Sequence, residues 1–370
     1  MRHSEYIVAG SFPAIPKVAV IILNYNGWQD TIECLESVLR SDYPNFTTIV
    51  CDNGSTDESM DKLKGWAEGR IDPLLPTNAD LKHLTFPNIP KPIHYKYLDY
   101  RANRKDQSTD ALTRLIFIDL GRNLGFAGGN NICMKYVLTN RGFDYVWLLN
   151  NDTVVKTDSL TKLVSRVKNE PYCGICGSTV YYYDLQQTIQ TLGGNTYNKW
   201  FAVSRNIRPK KGESEITDAV VNRVEKQMDM VLGVSMLVST KLLQEVGLMN
   251  EEYFLFAEEI DWATRAKRKF HLGYAPESII YHKKGRSIGS TIDPKQRSLI
   301  ADYYNIRSRL LFTKRFYPLA TPTVCLGLLG VIINRLRRRQ IEQAKMVPRI
   351  IYEVLFSHRT QIINITDSTG

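Results

Sequence analysis

The run Phe143-Asp-Tyr-Val-Trp-Leu-Leu-Asn-Asn-Asp152 ends a stretch of large apolar residues in three polar ones. An apolar run this short, bounded by polar residues, reads as a buried strand. In an open parallel sheet the carboxyl ends of strands form the crevice where ligands bind, so Asn150, Asn151 and Asp152 would stand at the mouth of a site. Asp152 offers a hard oxygen, and Mg2+ or Mn2+ held mainly through substrate phosphates needs only one or two such ligands from the protein. The same Asn-Asn-Asp-Thr also reads as a turn and helix N-cap before Ser159 to Val167. A second cluster, Glu258, Glu259 and Asp261, opens a helical segment closed by Arg265, Lys267, Arg268 and Lys269, an order that suits the helix dipole. One of these carboxylates, ionised and within reach of a proton, is equally what a general base requires. Position must decide between the two readings. A third cluster, His282-Lys-Lys-Gly-Arg-Ser-Ile-Gly289, resembles a flexible clamp for a diphosphate, with Arg286 as a bidentate donor. His282 alone would read as a satisfied core or surface residue.

The elements that must position these clusters are those of an α/β sheet. Lys17 to Leu23 is β-branched and unbroken, a buried strand running into Asn24-Tyr25-Asn26-Gly27. Ile32, Leu35, Val38 and Leu39 follow helical spacing between Trp28 and Arg40, and Phe46 to Cys51 returns as a strand, which makes a right-handed βαβ unit. Asp52 stands directly on that strand's end. It reads equally as a turn residue and as an acceptor for a nucleobase N–H or ribose hydroxyl. Leu115 to Leu120 is a further strand, followed by a glycine-rich turn from Gly121 to Asn131 and a helix to about Leu138. Those glycines do not fit G-x-G-x-x-G, which disfavours a dinucleotide-binding dehydrogenase. They would let backbone approach a ligand closely, or let the helix pack tightly on the sheet. Between Ile71 and Thr113, five prolines and a charged tract read as an insertion rather than scaffold. Thr188 to Glu225 reads as a hairpin or loop, and Met230 to Val238 as a buried run.

The chain has 370 residues, is 43% hydrophobic, and carries a formal charge of +10. That length and composition describe a globular protein with one large or two modest cores. The six cysteines are scattered, and no N-terminal stretch has the build of a cleaved leader, which makes a reducing cytoplasmic compartment the expectation. Cys173-Gly-Ile-Cys176 has the spacing of a redox or half-zinc motif but lies in an apolar run and reads as two strand cysteines. The charge is uneven: Ala263 to Arg349 holds 19 Lys and Arg against 4 Asp and Glu. Such asymmetry points to a polyanionic partner, nucleic acid or an anionic membrane surface. No charge falls between Phe316 and Asn334, but prolines leave only Val324 to Ile333 as a continuous apolar core, short of the roughly 20 residues that span a bilayer. With Arg335, Arg337, Arg338 and Arg339 after it, the segment reads as lying on an anionic leaflet; the alternative is a buried helix with a solvated basic end.

With these pieces in order, the sequence resembles the inverting nucleotide-sugar glycosyltransferases of family 2, particularly their bacterial rhamnosyltransferase-like branch. The resemblance rests on Val20 to Asn26, Ile49 to Ser55, Asn123 to Asn131, Trp147 to Asp152, Phe254 to Trp262 and His282 to Gly289. It implies a GT-A fold, a Rossmann-type mixed sheet flanked by helices, over residues 17–295. That unit would carry an insertion at 71–113, follow an N-terminal extension of residues 1–16, and precede a basic, membrane-associating helical region at 296–370. It implies that Asn24, Tyr25, Asp52, Asn123, Gly125, Asn150 and Asn151 line the nucleotide pocket. Asp152 and His282 would be metal ligands, Arg286 and Lys283 would meet the diphosphate, and Glu259 would be the catalytic base. Two departures stand out: Asn150 replaces the first Asp of the metal motif, and the base is Glu rather than Asp. The implied reaction is a single displacement from a UDP- or dTDP-sugar, possibly rhamnosyl, to a saccharide or lipid-linked saccharide in bacterial surface polysaccharide assembly. It would be assisted by Mg2+ or Mn2+ at the inner face of the plasma membrane, with no nucleic acid partner. The rivals are a sugar nucleotidyltransferase, whose N-terminal Gly-Arg-Lys loop is missing here, and a basic nucleic-acid-binding protein, for which no reading motif is found.

Overall fold

The computed structural model describes residues 15–101, 113–213, 215–283 and 299–357. Its first half contains β1 (Val18–Asn24), α1 (Trp28–Val38), β2 (Phe46–Asp52), α2 (Ser59–Ala67), β3 (Tyr95–Asp99), β4 (Leu115–Asp119), α3 (Gly125–Thr139), β5 (Tyr145–Asn150), β6 (Thr153–Val155), α4 (Ser159–Val167) and β7 (Cys173–Tyr182). Next come β8 (Ile189–Leu192), β9 (Gly194–Asn198), β10 (Val203–Asn206), α5 (Asp218–Gln227), β11 (Met230–Val231), β12 (Ser235–Ser239), α6 (Thr240–Glu245), α7 (Glu258–Ala266) and β13 (His271–His282). Three helices close the chain, α8 (Leu299–Phe316), α9 (Thr321–Arg337) and α10 (Ile341–Phe356).

Ten strands form one sheet in the order β3-β4-β2-β1-β5-β12-β7-β13-β6, with β8 beside β7. β3, β4, β2, β1 and β5 run parallel, so β1, β2, β4 and β5 deliver their carboxyl ends to one edge. β12 runs against both β5 and β7, while β13 follows β7, so His282 at the end of β13 returns to that edge. The unbroken apolar strands are explained by cover on both faces. In β1, Val18, Val20 and Ile22 join one core cluster, and Ala19 and Ile21 join the other.

Three expectations change. The stretch from Ile71 to Thr113 is not only an insertion, because Tyr95–Asp99 adds the edge strand β3 in register with β4. Its residues are all only half-buried and include a lysine, as edge strands often do, so its apolar signal was weak. Thr188 to Glu225 contains the expected hairpin, β9–β10, but adds β8 and the start of α5, and β9, β10 and β11 make a small three-stranded sheet. Of the turn and N-cap reading of Asn150 to Thr153, the turn holds at Asn151 and Asp152 but the N-cap does not, since Thr153–Val155 is strand β6, paired with Ile280–His282, and Asp158 stands at the start of α4.

The C-terminal helices pack on one another around Leu310, Val324, Leu328, Val347 and Ile350. They are also tied to the segment before α7. Phe254 stacks on Tyr304 with ring centroids 4.6 Å apart, Ser308 Oγ donates to the Leu255 carbonyl at 2.8 Å, and Arg307 donates to the Glu252 carbonyl at 2.9 Å. The helical stretch Pro318–Arg337 has 20 residues and a mean hydropathy of 1.6, enough by length and composition to cross a membrane. This exceeds the Val324 to Ile333 core expected from the prolines, because Pro318 and Pro322 sit in first-turn positions that tolerate them. Val324 and Leu328 face the neighbouring helices, while Leu326 and Leu329 are at least half exposed. Arg335 is not free for a lipid surface: its guanidinium pairs with Asp302 at 2.8 Å.

Candidate active site

The ends of β1 and β2 form a buried polar lattice. Asn24 is fully buried; its Nδ2 donates to Ser55 Oγ at 3.1 Å and reaches Asp52 Oδ2 at 3.5 Å, while its Oδ1 accepts from Thr31 Oγ1 at 2.7 Å. Asn24, expected to line the nucleotide pocket, thus holds Asp52 and Ser55 in place. Asp52 Oδ1 accepts the Ser55 N–H at 2.9 Å. Burial raises its pKa above the ordinary carboxylate value, against the Ser55 hydrogen bonds and with Asp119 adding repulsion. Asp52 opens on a cavity of about 290 Å3 whose wall includes Lys64, Tyr97, Arg101 and Asp119. Tyr25 is half-buried beyond the end of β1.

The glycine-rich turn packs against protein. Asn53 donates to Asn123 Oδ1 at 3.0 Å and accepts from the Leu124 N–H at 2.9 Å. Gly125 has φ +72°, and a Cβ there would collide with the Phe254 carbonyl, which accepts the Phe126 N–H at 2.9 Å. A Cβ on Gly129 would lie 2.5 Å from Leu23 Cδ1. Of the two readings of these glycines, Gly125 serves close packing: it lets the start of α3 meet the Phe254 segment.

At the end of β5, Asn151 Nδ2 donates to Thr31 Oγ1 at 3.1 Å, a scaffold contact, while the half-buried Asn150 has its N–H bonded to the Val234 carbonyl at 3.1 Å. Asp152 and His282, distant in sequence, are brought together with Oδ1 to Nε2 at 3.3 Å. His282 is oriented by Gln190 Oε1 at 2.9 Å from Nδ1. Burial pushes the Asp152 pKa up, but the adjoining His282, a backbone hydrogen bond and Lys283 outweigh it and hold the carboxyl below its ordinary range. A carboxylate beside an imidazole whose other nitrogen is fixed is a donor set that fits a divalent metal. Lys283, expected to meet the diphosphate, is paired within the protein. Its Nζ is buried between Glu33 and Asp30, 2.5 Å from the latter, and two carboxylates leave it little to offer a diphosphate. Arg286 lies outside the described residues.

Position separates the three acidic residues of α7. Asp261 is fully buried and accepts from Arg265 Nε at 2.6 Å. Glu258 is buried, its Oε2 lacks a hydrogen-bond partner, and burial with Glu259 beside it pushes its pKa well up. Glu259 alone of the three lines a cavity, one of about 380 Å3 enclosed by β9, the β9–β10 turn, the segment after β11 and α8. Its carboxylate abuts Gly233, where a Cβ would strike it, next to the Val234 carbonyl that binds the Asn150 N–H. The base candidate thus sits beside the strand end that carries Asp152. Burial raises the Glu259 pKa, while the Gly233 N–H favours its ionised form. Phe256 and Ala257, immediately before α7, have φ of +66° and +67°. Two consecutive non-glycine residues in the left-handed region are costly, and the α8 contacts to Leu255 and Phe254 keep them there.

Three other features escaped the sequence reading. Arg309 of α8 and Asn195 of β9 line the Glu259 cavity, but nothing distinguishes Arg309 from its neighbours in a basic stretch. Glu170, Cys173 and His271 gather within 4.8 Å of one another at the far end of β7 and β13 from His282. Their types could hold a metal, though Arg166 already pairs with Glu170.

The fold, a large mixed sheet flanked by helices, is that of the GT-A glycosyltransferases. A mannosyltransferase from Pyrobaculum calidifontis, solved with GDP-Man and Mn2+, superposes with a TM-score of 0.50 at 14% identity, covering 96% of this chain and 92% of its own. The low-salt glycan biosynthesis hexosyltransferase Agl10 of Haloferax volcanii is 20% identical over 229 residues, 61% of this chain and 71% of its own length. The profile of glycosyl transferase family 2 matches residues 19–79 and 102–224, and the chain belongs to that family. It is a nucleotide-sugar glycosyltransferase, and the nucleotidyltransferase and nucleic-acid-binding readings fall away. The matched residues stop before α7, so the roles of Glu259 and His282 rest on geometry and residue chemistry.

Proposed function

We propose that this enzyme transfers a hexosyl group from a nucleoside diphosphate sugar to a hydroxyl of a saccharide or lipid-linked saccharide, with inversion, during assembly of a surface glycan. The observation that carries the reading is the place of Glu259, the one carboxylate of its cluster open to a cavity, beside the strand end bearing Asp152. Glu259 takes the proton of the acceptor hydroxyl as its oxygen attacks the anomeric carbon. The acceptor C–O bond forms on one face while the bond to the diphosphate oxygen breaks on the other. The nucleoside diphosphate departs, and no covalent enzyme intermediate is required. Asp52 and Tyr25 receive the nucleoside, with Asn24 and Asn151 positioning the loops around it. Asp152 and His282 would hold Mg2+ or Mn2+, which when bound neutralises charge on the departing diphosphate.

The names of the two relatives support the sugar class and the metal: one is a hexosyltransferase of glycan biosynthesis, and the other was solved with GDP-Man and Mn2+. A UDP- or dTDP-sugar donor, rhamnosyl in particular, is the specific form suggested by the sequence motifs. We also place the enzyme at the cytoplasmic face of the plasma membrane. The support is α9, where Leu326 is 67% exposed and Leu329, Ile333 and Leu336 are about half exposed, followed by Arg337, Arg338 and Arg339.

The test is thermal stabilisation by UDP, dTDP and GDP and their sugars, with and without Mn2+, since a ligand that binds only the folded protein raises its melting temperature. A nucleoside diphosphate shift that Mn2+ enlarges is expected. Absence of any shift, with no donor hydrolysis, would overturn the reading.

A further inference from the structure

In the wall of the Glu259 cavity stands a cation that has no ion-pair partner among the described residues. Arg309 projects from α8 into its wall; Nη2 donates to the Phe201 carbonyl at 2.9 Å, while Nε is buried without a hydrogen-bond partner. Among the described residues no carboxylate lies within ion-pair distance of it, and the side chains that bear on it are the Tyr197 phenol and a second cation, Arg335. Burial lowers its pKa, but a guanidinium remains protonated in proteins. The contrast with its neighbours is direct. Arg307, like Arg309, donates to a backbone carbonyl, but Arg315 and Arg335 both have carboxylates. The same wall presents Asn195 Oδ1, also buried and unpartnered, and the half-buried Asn305, one turn before Arg309 on α8. A desolvated charge left unpaired is costly, so such a group persists where a ligand completes it.

We propose that this cavity is the acceptor subsite and that Arg309 selects acceptors bearing an anionic group, a carboxylate or a phosphate, near the reacting hydroxyl. The proposal rests on Glu259 being the base, because that residue and Arg309 line one cavity. A volume of about 380 Å3 suits a sugar residue with its charged substituent. Two sources supply that chemistry: a uronic acid within a saccharide, or a phosphate joining a sugar to a lipid. A guanidinium fork meets either in bidentate fashion.

The experiment uses the full chain with the donor found by thermal stabilisation. It compares phenyl β-glucoside with phenyl β-glucuronide, and a hexose on a short-chain prenyl diphosphate with the same hexose on the uncharged prenyl alcohol. The wild type is expected to favour one charged acceptor of a pair by tenfold or more in kcat/KM, and the pair that responds identifies the source. Arg309→Gln should reduce that preference below about threefold through acceptor KM, while Arg309→Lys keeps part of it and donor hydrolysis stays unchanged. Asn305→Asp supplies an internal carboxylate at the i−4 position. It should raise the melting temperature and reduce the preference in a protein that is demonstrably folded. Equal use of charged and neutral acceptors by the wild type, or loss of donor hydrolysis in Arg309→Gln, overturns the proposal. Failure of every donor to bind or hydrolyse would instead overturn the transferase reading beneath it.

Discussion

The strand-end region and the surroundings of Glu259 are built on opposite principles. At the ends of β1, β2 and β5, Asn24, Asn53 and Asn151 are hydrogen-bonded to protein, and Asp152 is paired with His282. Around Glu259, by contrast, Glu258 Oε2, Asn195 Oδ1 and Arg309 Nε are buried without hydrogen-bond partners, and the backbone entering α7 is strained. A satisfied lattice is rigid and presents a fixed surface, whereas unsatisfied buried groups mark places where a ligand or a protonation change completes the structure. The first region reads as preformed for the nucleotide common to all turnovers. The second reads as the part that waits for its acceptor.

The difference is broken most sharply by Glu259→Gln, which keeps shape and removes the base. Transfer should fall by about 10²- to 10⁴-fold, while nucleoside diphosphate binding, read by calorimetry, stays within about twofold. Full residual transfer would remove Glu259 from the role. In the wild type, burial raises the Glu259 pKa, and the base acts only when ionised. The acid limb of kcat/KM should therefore lie at higher pH than an ordinary glutamate would place it, with activity rising as pH increases through it. The metal half is probed by Asp152→Asn. Mn2+-dependent stabilisation by a nucleoside diphosphate should shrink by roughly tenfold or more in apparent metal affinity, of the order seen when metal-site partners are lost. An unchanged Mn2+ titration would take Asp152 out of the metal site.

A smaller test addresses the seam between the regions. Gly125→Ala puts a Cβ onto the Phe254 carbonyl in a left-handed backbone, and about 1–3 kcal/mol of destabilisation is expected by denaturant unfolding. Since Phe254 leads into the strained turn before Glu259, transfer should fall more than nucleotide binding does.

The contrast also explains what could be read from sequence. Strand-end residues such as Asn24, Asp52 and Asp152 were legible because a buried parallel strand is an apolar run whose polar end announces the crevice. Contiguity did not reveal role: Asn24, Gly125 and Lys283 stood in the right motifs, yet their side chains or missing Cβ serve packing and internal bonds. The edge strand Tyr95–Asp99 was missed because half-burial leaves a weak pattern, and five nearby prolines masked it. The cavity at Glu259 was illegible for a deeper reason. Its wall comes from β9, the turn before β10, the segment after β11, α7 and α8, and only the topology joins these. Among the described residues Arg309 differs from Arg315 and Arg335 in lacking a carboxylate, and absence of a partner has no sequence signature.

The smallest effect expected concerns Glu258, the neighbour of the base. Its carboxyl is buried with one oxygen unpartnered, and burial together with Glu259 pushes its pKa well above the ordinary value. A group whose folded pKa is raised contributes fully to stability below its unfolded pKa, and that contribution declines as pH rises through the folded value. At neutral pH the unfolded chain gains by ionising Glu258 while the folded one resists. Glu258→Gln, neutral at every pH and nearly the same shape, should therefore unfold less readily than the wild type at pH 7 to 8, by about 1 kcal/mol. The gap should narrow toward pH 4, where both side chains are uncharged. Denaturant curves at the two pH values decide the matter. A variant less stable at pH 7.5 would mean that Glu258 is ionised in the folded protein, and the region around the base would then be a paired network like the one at the ends of β1 and β2.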